Sequence, residues 1–75
     1  MAVMGVFHII KDGVIYELRP QPEGGYFITV PALPGCTSFG DTMDEAMTMI
    51  AEATELWLEV AREEGLPIPA QFEPD

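Results

Sequence analysis

Gly35-Cys36-Thr37-Ser38-Phe39-Gly40-Asp41-Thr42-Met43-Asp44-Glu45 is the stretch at which strand gives way to helix. Thr42-Met43-Asp44-Glu45 has the form of a capping box, in which the Thr42 hydroxyl serves a free amide of the first turn and Glu45 reaches back. From Met43 to Glu64 there is neither Gly nor Pro, and Gly65 followed by Pro67 supplies the stop. The spacing predicts a helix over 42–64, with a length of about 33 Å. On the other side of the junction, Gly35 and Gly40 bracket a segment long enough only for a short strand, 36–40.

Further upstream, Tyr26-Phe27-Ile28-Thr29-Val30 lies between the turn cluster Pro20–Gly25 and the prolines Pro31 and Pro34, and reads as a central strand over 25–31. Asp12-Gly13 is a hairpin signal leading into a strand over 14–20, in which Val14, Tyr16 and Leu18 share the buried face and Glu17 and Arg19 the other. The apolar run 3–10 is the fourth strand, although periodicity alone does not separate so short a run from helix. The expectation is a single α+β domain over residues 1–75: an antiparallel sheet of three to four strands with one long helix packed on a face. The tail 66–75, with Pro67, Pro69 and Pro74, is expected to be extended or loosely attached.

Placed at 100° intervals, Met43, Ala46, Met47, Ile50, Thr54, Trp57, Leu58 and Ala61 fall on one side of the helix and Glu45, Glu52, Glu55, Glu59 and Glu63 on the other. Ala53, Met49, Leu56 and Val60 widen the apolar arc to roughly 200°, more than one sheet face needs. Met49, Leu56 and Val60 are therefore the expected contact with another chain, with an exposed sheet edge as the alternative.

The chain has 75 residues, 13 Asp or Glu against 3 Lys or Arg, and a net charge of −10, which leaves room for one small domain and disfavours direct contact with nucleic acid phosphates. A hydrophobic fraction of 48% excludes intrinsic disorder. A chain this short buries only roughly 60% of its unfolded surface, so a staple is expected. The single Cys36 makes no internal disulfide, and one Cys and one His (His8) in distant segments offer no structural metal site; no cofactor is expected, and oligomerisation, at least to a dimer, or a basic partner remains. The N-terminus MAVMGVFHII has no basic leader region and breaks at Lys11-Asp12-Gly13, so it reads as neither signal peptide nor membrane span, and a cytoplasmic location is expected.

No residue set has the spacing of a catalytic site. Asp41, Asp44 and Glu45 fit the helix macrodipole and its cap better than a metal. His8 reads as a structural or surface histidine, and Cys36 as a packing residue short of the cationic neighbours a reactive thiol needs. Glu52, Glu55, Glu59 and Glu63 stand three or four residues apart, where like charges repel; they form either a solvated face or an acidic docking strip.

Pro22-Glu23-Gly24-Gly25-Tyr26-Phe27-Ile28-Thr29-Val30-Pro31-Ala32-Leu33-Pro34-Gly35-Cys36, then Gly40-Asp41-Thr42-Met43-Asp44-Glu45-Ala46, resembles the HicB-type antitoxin family. Trp57-Leu58 and Gly65-Leu66-Pro67-Ile68-Pro69 extend the match to roughly residues 16–69. The resemblance implies a partial ribonuclease H-like fold and a non-catalytic role: masking a small basic mRNA-cleaving toxin of a type II toxin-antitoxin pair; the charge pattern makes Glu52, Glu55, Glu59 and Glu63 the candidate contacts with it. Full-length members commonly add a C-terminal DNA-binding domain, and this sequence stops at Asp75 without one. The competing readings are a solitary oligomeric scaffold without a toxin and a remnant metal-dependent nuclease using Asp41, Asp44 or Glu17.

Overall fold

The computed structural model describes residues 5–73. Four strands, β1 (Phe7–Lys11), β2 (Val14–Pro20), β3 (Tyr26–Thr29) and β4 (Thr37–Gly40), precede a single long helix, α1 (Met43–Glu64). The strands pair antiparallel in the order β1-β2-β3-β4, and α1 packs across β3 and β4. The α+β expectation holds. Two of its strands are shorter than the sequence suggests: Gly25, Val30, Pro31 and Cys36 fall in loops, because two turns, at Pro20–Gly25 and at Val30–Cys36, consume the ends. The N-terminal run is a strand at Phe7–Lys11, and residues 3 and 4 of its expected span lie outside the described residues.

Local chemistry accounts for each junction. Asp12 and Gly13 both have positive φ, 53° and 78°, which closes a two-residue hairpin whose twist suits the flanking strands. Thr42 Oγ1 accepts the Glu45 backbone N–H at 3.0 Å, and Glu45 Oε1 accepts the Asp41 N–H at 2.7 Å, so the box forms with its return bond one residue before the cap. At the other end Leu66 N–H reaches Ala61 O at 2.8 Å while Gly65, left-handed, turns the chain away.

The core lies between the sheet and α1. Val14 and Leu18 of β2 and Ile28 of β3 meet Ala46 and Ile50 of the helix. Leu33 is fully buried although it belongs to a loop: its N–H bonds to Val30 O at 2.9 Å and its carbonyl takes the Cys36 N–H at 2.9 Å, and this pair of turns drives the side chain inward. Gly40 lets α1 approach β4, since a Cβ there would overlap the Ala46 backbone. The tail is not uniformly extended, because Ala70–Phe72 forms one turn of 3₁₀-helix and Phe72 packs against the core. Met43, expected on the inward stripe, is exposed at the helix start.

Candidate functional site

Part of the surplus flank of α1 lies against the start of the edge strand β4 and the loop before it. β4 is an edge strand, paired only with β3 among the described residues, and α1 lies over it with Leu56 and Val60 facing the start of the strand at Cys36 and Thr37. Between them runs an open apolar groove of about 330 Å³, with Cys36 and Thr37 on the strand side and Leu56, Trp57 and Val60 on the helix side. It continues around Trp57 into a second depression of about 630 Å³ against Pro34, Leu66 and Pro67. Trp57 is the pivot of both, and its indole Nε1–H donates to Pro34 O at 2.9 Å, fixing the ring between helix and loop. Leu56 is 62% exposed, and Met49 and Val60 are also exposed.

The acids of α1 divide by position. In a helix of this pitch Glu63, Glu52 and Glu59 lie within roughly 60° of Leu56 around the axis, on the opposite side of Leu56 from the groove-lining Ala53, Trp57 and Val60, and Glu55 lies roughly 100° away on the same side; none of the four lines the groove. Three of the four sequence candidates thus stand beside the apolar flank, and the fourth does not. Trp57 and Thr37 were not among the candidates read from the sequence, which offered a sheet edge without naming its strand; the Trp57-Leu58 pair carried a signal through the family resemblance.

On the groove floor Cys36 is buried and shares a hydrogen bond with the Thr54 hydroxyl at 3.7 Å. Burial pushes its thiol up from the ordinary value, partly opposed by Thr54, so it is a packing group. The three nuclease candidates are not brought together. Glu17 faces the opposite side of the sheet from α1, and its cross-strand row through Thr29 to Thr37 ends four residues short of Asp41, so strand spacing separates the backbone positions of the two residues by roughly 16 Å. Asp41 gives its N–H to the cap, and among the described residues no three His, Cys, Asp or Glu side chains cluster as metal ligands. No helix among them is long and apolar enough to cross a membrane.

The fold is a small antiparallel α+β unit with an apolar groove between its helix and the start of its edge strand. The comparisons with known proteins name the family. The "HicB_like antitoxin of bacterial toxin-antitoxin system" family matches residues 15–74, and the chain belongs to it. That match starts one residue earlier and runs five further than the motifs alone suggest. The chain is 43% identical over 54 residues to a UPF0150 protein of Synechocystis sp., covering 72% of this chain and 68% of that one. It is 45% identical over 53 residues to a UPF0150 protein of Archaeoglobus fulgidus, covering 71% and 74%. With Antitoxin HicB 1 of Photorhabdus laumondii it shares 38% identity over 52 residues, 69% of this chain but 34% of that protein. No solved structure matches, and the ribonuclease H-like kinship stays an implication of the family resemblance.

Proposed function

We propose that the protein is a non-catalytic antitoxin that masks a small, basic, mRNA-cleaving toxin in the cytoplasm, without touching nucleic acid itself. The observation that carries this reading is the apolar groove between α1 and the start of β4, with Glu52, Glu59 and Glu63 beside its exposed lip Leu56, in a chain of the HicB-like antitoxin family. A toxin segment seated there covers Leu56, Trp57 and Val60 and meets the start of the edge strand β4, while its Lys or Arg side chains meet the acids. The mutual repulsion of those acids in the unbound chain adds to the gain, since a cationic partner relieves it. Masking needs no chemistry from this chain, only a cover over the toxin's active surface.

Co-expression with a cognate toxin is the direct test. Wild type restores growth and co-purifies with the toxin; failure to do either removes the antitoxin assignment. A Glu52→Gln, Glu59→Gln, Glu63→Gln variant associates more slowly at low salt, and Glu55→Gln alone changes little. Equal rates for wild type and the triple variant would eliminate the acidic rim while leaving the assignment standing.

A further inference from the structure

Among the described residues no element covers the face of the sheet turned away from α1, and the register shows what it presents. Ile10 and Ile15 stand opposite each other at one corner, 74% and 50% exposed. Phe27 and Phe39 stand opposite each other at the diagonal corner, in one row with Arg19. The Phe39 ring lies over Gly25, where any Cβ would overlap it, and so keeps its place on the face. Between the corners runs a polar row, His8-Glu17-Thr29-Thr37. Glu17 accepts from Arg19 at 2.8 Å and lies 3.6 Å from the His8 ring.

Charge separates this face from the rest of the molecule. The chain carries −10, yet the only acid among the outward positions of these strands is Glu17, and its own face supplies Arg19 to balance it. We infer that this outer sheet face is the surface through which two copies of the chain associate. The occupant is a second copy because the face is self-complementary: each copy brings both apolar corners and both signs of charge, which a twofold interface requires. A strongly basic partner gains nothing here, because the local charge is balanced. The α1 flank is the poorer choice for self-association, since it would bring Glu52 and Glu63 of both copies together. Self-association is thereby moved off Met49, Leu56 and Val60, and the groove is left open in the dimer.

Sedimentation of the full chain from micromolar to millimolar concentration tests this, with thermal melting to monitor the fold. Wild type passes to twice the 8.2 kDa monomer mass. Ile10→Glu with Ile15→Glu, both at exposed positions, raises the dimer dissociation constant by about tenfold or more. Glu17→Arg and Arg19→Glu each weaken the dimer, although the first lowers and the second raises the net negative charge; an effect of net charge alone would strengthen the first. Mixing these two variants restores association, because one face is then basic and the other acidic. A wild type that stays monomeric at millimolar concentration, a mixture no tighter than its components, or a dimer lost only on Leu56→Asp would each overturn the inference.

Discussion

The α1 flank and the outer sheet face both expose large apolar side chains, and they differ in what surrounds them. Leu56 and Val60 lie beside Glu52, Glu59 and Glu63, whereas Ile15 and Phe27 lie beside an Arg19–Glu17 pair whose charges cancel. Apolar area makes both surfaces adhesive, but it does not choose a partner. The charge around it does. An acidic rim repels a second copy and attracts a cationic toxin, while a balanced rim tolerates a copy of itself. Because the two surfaces lie on opposite sides of the sheet, one protein can occupy both at once.

The strongest way to break the comparison is to remove the support the two surfaces share. Gly40→Val pushes α1 off β4 and is expected to cost about 3 kcal/mol of stability in urea unfolding, with toxin binding and self-association lost together. Next in size, Trp57→Ala should weaken toxin binding by about 2 kcal/mol or more while the dimer constant, corrected for any loss of fold, stays put. Ile15→Glu should show the reverse pattern, and any variant that moves both constants alike would dissolve the distinction. Thr42→Ala removes the helix cap and should lower stability by about 1 kcal/mol without separating the two surfaces.

Salt sharpens the contrast because its sign differs. Raising ionic strength screens the attraction between the acidic rim and a basic toxin and so weakens that complex, but it also screens the repulsion between two chains of −10 and so strengthens the dimer. Association constants falling together with salt would show that the sheet face is not used between like copies. The smallest effects are local titrations. Burial holds the Cys36 thiol above its ordinary value, so in the folded state it keeps its proton when the unfolded chain has begun to lose it. Stability should therefore decline as pH rises beyond the ordinary thiol range, and Cys36→Ser should flatten that slope. Glu17 shows the opposite sign. The hydrogen bond from Arg19 holds its carboxyl below the usual carboxylate range, and its contribution is lost as the pH falls through the folded value.

Sequence alone determined the parts of this protein that depend on neighbours along the chain. Thr42 and Glu45 announce the helix start, Gly65 its end and Asp12-Gly13 the first hairpin, because caps and tight turns are settled within a few residues. Alternation in β2 assigned Val14, Tyr16 and Leu18 to the core side, and the 3.6-residue period exposed the surplus of Leu56 and Val60. The motif order led to the antitoxin family.

Tertiary structure alone decided what these faces meet. No local pattern marks Leu33 as a core residue, since it is two hydrogen-bonded turns that aim it inward. No wheel shows that the α1 flank meets Cys36 and Thr37 at the start of β4, that Trp57 reaches Pro34, or that Ile10-Ile15 and Phe27-Phe39 share one sheet face with Arg19. Periodicity states which residues share a side of one element. Which sides of different elements face each other depends on strand register and on where Gly40 lets the helix sit, and both are set by contacts between residues far apart in the chain.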